Sequence, residues 1–347
     1  MTHQHIGNLF MFGFHGTTAP DYLLAWLHEG KVGGVILFAR NVENPQQLAV
    51  LTAQLHNAAS QPILIAIDQE GGTVARLRGD FLESPSAMAL SNTDAAENAE
   101  TAYGLLAAEM RHLGIIWDYA PVVDITYNRD NPTVGTRSFG TNPDRVGLYA
   151  SHAVRGLQSE RIAACAKHFP GLGNTTIDTH LALPTLDTPL EHLIATDLAP
   201  YRAVIDENIA SIMTTHTKFL ALDEEHPATL SPVIVKRLLR DALQYEGVVT
   251  TDCMEMKAIA DNYGAGESAV LAILAGIDIV LFSHTPTMQQ QAFEAVTEAM
   301  NSGRIPAHFV QQANERREKL IAQFAITEPP TASHEFINLD SAQEAMQ

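Results

Sequence analysis

Residues 164–180 read ACAKHFPGLGNTTIDTH and gather Lys167, His168, Asp178 and His180 into an apolar run followed by a glycine-containing loop. A carboxylate two residues from a histidine can touch the ring in a turn, orient it and support its cationic form. That makes a general acid/base that works near neutral pH. Such a group needs a partner across the substrate. Asp252, which closes the apolar run GVVTTD (247–252), is the strongest candidate, because a carboxylate ending a buried strand is costly unless it is used or paired. The same residue types admit a metal site, since Asp178, His180, His168 and His216 offer the oxygen and nitrogen ligands that zinc accepts. Against a metal-dependent hydrolase, Asp178 and His180 lie roughly ten residues beyond their strand, whereas such ions sit on rigid strand ends. No metal and no cofactor are expected.

The elements that must position these residues are legible as short apolar runs. They are LFMFGF (9–14), GVILF (34–38), ILIAID (63–68), IIWDYAP (115–121), ACAKHF (164–169), SIMTTH (211–216), GVVTTD (247–252) and IDIVLF (277–282). Between them lie stretches with apolar residues at helical spacing, such as PQQLAVLTAQLHNAA, AAENAETAYGLLAAEMRHLG and SPVIVKRLLRDALQ. Eight apolar strands alternating with helices imply a parallel sheet closed into an α/β fold of the (β/α)8, TIM-barrel type, with a doubly wound open sheet as the competitor. The polar residues favour the barrel. Asp68, Asp124, Lys167, His168, His216 and Asp252 all fall at or just past a strand's C-terminal end, and in a barrel these ends converge on one mouth.

A single catalytic barrel over residues 1–326 is expected, with 327–347 as a polar, proline-containing tail. The loops after the fourth and fifth strands are long, which marks them as functional or disordered. A chain of 347 residues with 46% hydrophobic content can bury a large core unaided. Its net charge of −19 repels nucleic acid and anionic membranes, and no apolar run approaches the roughly 20 residues that span a bilayer. The start, MTHQHIGNLFMFGFHG, has no secretory pattern, and Cys165 and Cys253 are too few for a disulfide framework. A cytoplasmic enzyme acting on a small molecule, monomeric or weakly dimeric, is the expectation.

The segments GGVILFARNV, IAIDQEGGTVARL, APVVDI with NPTVGTRSFG, AKHFPGLGNTTIDTH, MTTH, HPATLS and GVVTTDCMEMKAI, in this order, closely resemble glycoside hydrolase family 3, in particular its single-domain bacterial β-N-acetylglucosaminidases. The resemblance implies a retaining glycosidase working through a covalent glycosyl-enzyme. Asp252 matches the family's nucleophile, His180 its acid/base and Asp178 the aspartate paired with that histidine on a mobile loop. Asp68, Arg76, Arg137, Lys167 and His168 match residues that hold the sugar ring, with Met254 and Met256 as apolar walls and His216 on the floor. A glycoside substrate from peptidoglycan fragments is implied. Gly171 and Gly173 are expected to let the loop swing.

The chain departs from the family pattern at Leu172, where histidine is usual, at Asn174, where aspartate is usual, and at Thr73, where arginine is common. A β-glucosidase or a glycoside phosphorylase of the same family are the alternatives, because an imidazolium tolerates an incoming phosphate that a carboxylate would repel. Singly, His216 reads as a satisfied core histidine and Arg137 as an ion-pair partner.

Overall fold

The eight apolar runs close into one barrel. In this computed structural model, which describes residues 3–128, 130–324, 326 and 330, the strands are β1 (Phe10–Phe12), β2 (Gly34–Leu37), β3 (Leu64–Ile67), β4 (Trp117–Asp118), β5 (Ala163–Phe169), β6 (Ser211–Thr214), β7 (Val248–Cys253) and β8 (Ile279–Phe282). Each pairs in parallel with its sequence neighbours, and β8 returns to β1 with Phe10, Met11 and Phe12 opposite Val280, Leu281 and Phe282. This is a (β/α)8 barrel.

Two-residue alternation along the strands makes two cores. Met11, Ile36, Leu64, Ala66, Trp117, Cys165, Met213, Val248, Ile279 and Leu281 fill the barrel. Phe12, Val35, Ile65, Ile67, Ala166, Ile212, Val249 and Phe282 point outward beneath the helices. Both faces are therefore dry, which is why the strands read as unbroken apolar runs rather than as alternating ones. Trp117 inside the barrel satisfies its indole N–H on Ser211 Oγ at 2.7 Å.

The outer layer forms where helix signals are strong. Helix Pro45–Ala58 starts at Asn44, whose side chain accepts the Gln47 N–H at 2.9 Å, and proline occupies its first turn. Its buried face is Leu48, Leu51, Thr52 and Leu55. Helix Pro143–Ser159 repeats the device, with Asn142 accepting the Arg145 N–H at 2.9 Å. Each such cap contributes about 1 kcal/mol. No helix among the described residues is long and apolar enough to cross a membrane. The tail expected at 327–347 falls outside the described residues, Pro330 excepted.

One pairing has no counterpart in the strand pattern. Thr185–Leu186 pairs in parallel with Lys218–Phe219 outside the barrel, tying the loop after β5 to the loop after β6. Two-residue strands are too short to show periodicity.

Glu109, on helix Glu97–His112, is buried and accepts the Leu82 N–H with both carboxylate oxygens, at 3.1 and 3.2 Å. Burial pushes its carboxyl up to about 7, only partly opposed by that hydrogen bond. The native state thus keeps a proton that the unfolded chain releases, so the group's stabilising contribution is complete below the unfolded value and fades as pH rises through about 7. Glu109→Gln, which mimics the protonated form, should raise unfolding free energy at pH 8 by on the order of 1–3 kcal/mol relative to wild type and have little effect at pH 4. Urea unfolding at the two pH values checks this; equal effects at both would show that the proton is not held.

Candidate active site

Of the strand-end residues, Asp68, Lys167, His168 and Asp252 meet at the C-terminal mouth, around a cavity of about 610 Å³. Asp68, Arg76, Arg137, Lys167, His168, Asp178, His180, Asp252 and Met256 line it, as the sequence implies. The loop residues Asp178 and His180 thereby share one cavity with Asp252, although 72 to 74 positions separate them in sequence.

The floor is a chain of alternating charges. Arg76 Nη2 donates to Asp68 Oδ2 at 3.1 Å, and Lys167 Nζ reaches Asp68 Oδ1 at 2.7 Å and Glu70 Oε1 at 2.6 Å. Arg137 closes the series, with Nε donating to Glu70 Oε2 and Nη2 to Oε1, both at 2.7 Å. Burial alone would raise the Asp68 carboxyl, but Lys167 and Arg76 hold it well below the usual carboxylate range. Glu70 is likewise pushed up by burial and brought down by Arg137 and Lys167 to about 2. Lys167 would lose basicity through burial, yet Asp68 and Glu70 raise it above its ordinary value. All three are charged at neutral pH, and each depends on the others.

Asp124 holds the next wall. Its Oδ2 accepts the His168 backbone N–H at 3.1 Å and sits 2.7 Å from His168 Nδ1, while Oδ1 accepts the Leu172 N–H at 2.6 Å. The carboxylate can only accept, so His168 carries a proton on Nδ1 and turns its Nε2 edge away from Asp124. The Lys167–His168 peptide is cis.

Asp252 ends β7 half-buried, with Oδ1 accepting the Cys253 N–H at 2.7 Å. That leaves Oδ2 without a protein donor among the described hydrogen bonds. Cys253 beside it is no competing nucleophile, since burial pushes its thiol up to about 12. In the same cavity, His180 Nδ1 lies 2.8 Å from Asp178 Oδ1, which also accepts the His180 N–H at 2.8 Å. The two-residue spacing closes as a turn, and the His180 side chain is 70% exposed. Among the described residues, no group of three or more His, Cys, Asp or Glu side chains is arranged to hold a metal ion.

Three placements correct the sequence reading. His216 does not reach the cavity: it is fully buried, with Nε2 2.9 Å from the Cys253 carbonyl and Nδ1 2.8 Å from Thr229 Oγ1. A carbonyl only accepts, so Nε2 carries the proton, and burial lowers the ring's basicity, which keeps it neutral. It props the backbone next to Asp252 instead of touching a ligand. Met254 is also in the core, whereas Met256 and Met213 line the cavity.

The third correction concerns the glycines. Gly173 is pressed on the backbone, so that a Cβ there would lie 1.9 Å from the Ile125 carbonyl oxygen. Gly171 adopts φ +147 with Asp197 packed where a side chain would be. Asn131 Nδ2 also donates to the carbonyls of Leu172 and Thr175 at 2.8 and 3.0 Å. These glycines permit close approach and fasten the loop's base. From there to the Thr185–Leu186 pairing, the segment takes the Ala258 N–H on the Thr179 carbonyl at 3.3 Å and the Lys218 N–H on the Pro184 carbonyl at 2.9 Å, and Thr179 is buried. Ile177 and Leu181 flank the histidine, 45% and 68% exposed.

Sequence reasoning missed Glu70, which the DQEGG motif carries two residues after Asp68, and gave Asp124 no task. Two buried cations needing counter-charges were the available signal for Glu70. Thr73 and Leu172, where the chain departs from the family pattern, both line the cavity.

Comparison with known proteins adds an independent view. The model of the glycosyl hydrolase family 3 N-terminal domain matches residues 1–320. A β-hexosaminidase of Neisseria meningitidis serogroup C is 36% identical over 275 residues, 77% of this chain and 76% of that protein. A β-hexosaminidase of Methylococcus capsulatus is 34% identical over 319 residues, 90% of this chain and 93% of that protein. Among solved structures, a glycoside hydrolase family 3 β-N-acetylglucosaminidase from Paenibacillus sp. str. FPU-7 is similar at 40% identity with a TM-score of 0.96, over 100% of this chain and 67% of that one.

Gly173→Ala tests the fastened loop base. The added methyl has nowhere to go, so the variant should lose about 2 kcal/mol or more of unfolding free energy by denaturant titration. Wild-type stability would mean that the loop's base yields freely.

Proposed function

The chain belongs to glycosyl hydrolase family 3, and from that premise we propose that it is a retaining β-N-acetylglucosaminidase that removes terminal N-acetylglucosamine. The observation that carries this reading is the sharing of one cavity by the Asp252 carboxylate, on a rigid strand end, and the Asp178–His180 pair, on a loop. An electron-pair donor and a proton donor then face one glycosidic bond.

In this reading, Asp252 attacks the anomeric carbon with Oδ2 while the Cys253 N–H holds Oδ1. His180 gives its Nε2 proton to the departing oxygen, and Asp178 on Nδ1 orients the ring and stabilises its cationic form. The neutral imidazole then takes a proton from water, which attacks the glycosyl–Asp252 ester and frees the sugar with its configuration retained. Most retaining enzymes use a second carboxylic acid for this task. Asp68, Lys167, Arg137 and His168 are the proposed ring-holding set, since sugar hydroxyls both donate and accept and the charge chain offers both kinds of partner. Arg76, also in the cavity wall, anchors Asp68, and Met256 supplies an apolar wall.

The β-hexosaminidase and β-N-acetylglucosaminidase activities of the relatives support the N-acetyl specificity. Peptidoglycan-derived fragments and a cytoplasmic setting are the proposed context. The chain acts on its small glycoside without nucleic acid or membrane as partner, as a monomer or weak dimer.

Release of nitrophenol from its β-N-acetylglucosaminide tests the proposal, with the β-glucoside and added phosphate as comparisons. Wild type should prefer the N-acetyl substrate, keep its rate with chelator, and lose at least about 10³-fold, roughly 4 kcal/mol, in Asp252→Asn. His180→Ala should cost on the order of 10²–10⁴-fold with poor leaving groups and little with dinitrophenol. Equal losses on both leaving groups would remove His180 from the acid's role, and a rate abolished by chelator would return the metal reading.

A further inference from the structure

Glu70 is the one member of the charge chain that joins three segments of the mouth, and nothing in the proposed reaction uses it directly. It stands in the loop after β3, Arg137 in the loop after β4, and Lys167 on β5 itself. Its Oε1 takes both the Lys167 ammonium at 2.6 Å and Arg137 Nη2 at 2.7 Å, and its Oε2 takes Arg137 Nε at 2.7 Å. The carboxylate itself is 3% exposed, and its backbone is fixed too, with the N–H on the Val74 carbonyl at 2.9 Å and the C=O under the Tyr103 hydroxyl at 2.9 Å. A clamp held on both sides leaves the two cations little freedom of aim.

Counting donors shows what the clamp leaves over. Lys167 has three N–H groups and donates one to Asp68, while Glu70 at 2.6 Å pairs with the ammonium as an ion, so Lys167 keeps donor capacity for a ligand. Arg137 gives Nε and one Nη2 proton to Glu70 and one Nη1 proton to the Thr133 carbonyl at 3.1 Å, so one N–H on each terminal nitrogen remains. A fork bound bidentately on one edge is fixed in plane, which fixes where the remaining N–H groups point.

We propose that Glu70 is a positioning residue that aims Lys167 and Arg137 together at the sugar hydroxyls, so that removing its charge or shortening it disorders both contacts at once. The inference rests on the reading of this cavity as a glycoside site. Glutamine in its place can turn only one oxygen toward the cations, and its amide N–H groups would oppose the other donor. Aspartate keeps the charge but is one methylene too short to reach both.

The test compares wild type, Glu70→Gln, Glu70→Asp, Arg137→Ala and the double variant Glu70→Gln/Arg137→Ala. Three readouts serve: kcat/KM on the nitrophenyl N-acetylglucosaminide, the inhibition constant of free N-acetylglucosamine, and the melting temperature. Wild-type turnover comes first; its absence would overturn both the functional reading and this inference. With an active wild type, Glu70→Gln should lose 10- to 100-fold in kcat/KM and bind N-acetylglucosamine more weakly, and its loss should be at least threefold smaller when Arg137 is already absent. A general loosening of the fold would not give that non-additivity. Glu70→Asp carries the test if Glu70→Gln melts below the assay temperature, with the same direction of loss expected. Wild-type kinetics in either folded variant, or a loss unchanged by Arg137→Ala, would overturn the role of Glu70 and leave the functional reading standing.

Discussion

A lysine ammonium 2% exposed at the base of a barrel mouth is the constraint on which the site depends. Burial alone would lower its basicity; Asp68 on one side and Glu70 on the other raise it above its ordinary value, and both carboxylates stay ionised in return. Because Glu70 also needs Arg137 and Asp68 also engages Arg76, satisfying one buried charge recruits the loops after β3 and β4. The barrel supplies the rigid strand ends, and the charges draw the loops onto them. Removing any interior member leaves an uncompensated charge in a dry place, so the arrangement is set as a unit.

The loop after β5 follows the opposite logic. Its base is pinned by Asp124, Asn131 and the backbone contact at Gly173, and its exit by the pairing at Thr185–Leu186. Between these anchors the Asp178–His180 turn is held by its own hydrogen bonds and by the Ala258 N–H on the carbonyl of the buried Thr179, and the His180 side chain projects into solvent. A strand-end carboxylate and a loop histidine that share one cavity suit the proposed reaction, in which the histidine would meet two different oxygens, first the leaving group and then water.

What was legible in the sequence follows physical lines. Strands buried on both faces leave continuous apolar runs, so all eight barrel strands were readable, and polar residues at their ends located the mouth. That Asp252 would lie at the end of a buried strand and that Asp178 would meet His180 were readable because both are local signals; their catalytic roles are the proposal. His216 admitted two readings, core histidine or cavity floor, since the two look alike until its partners, Thr229 and the Cys253 carbonyl, come from other segments. Gly171 and Gly173 misled for a similar reason: glycine marks either freedom or close approach, and only the fold brings Ile125 and Asp197 against them. Glu70 escaped because the cations that need it are distant in sequence.

The central claim is that Asp252 forms a bond to the sugar. Incubation with an N-acetylglucosaminyl donor carrying a ring fluorine, which slows breakdown of the glycosyl-enzyme, followed by peptide mass spectrometry, reads that bond directly. The account predicts one added sugar mass on the peptide containing Asp252 in wild type, lost when the donor is withheld and chased away by a glycoside acceptor. Steady turnover with no labelled protein, or a label on a peptide lacking Asp252, would contradict it and point to catalysis by the substrate's own acetamido group or by another residue.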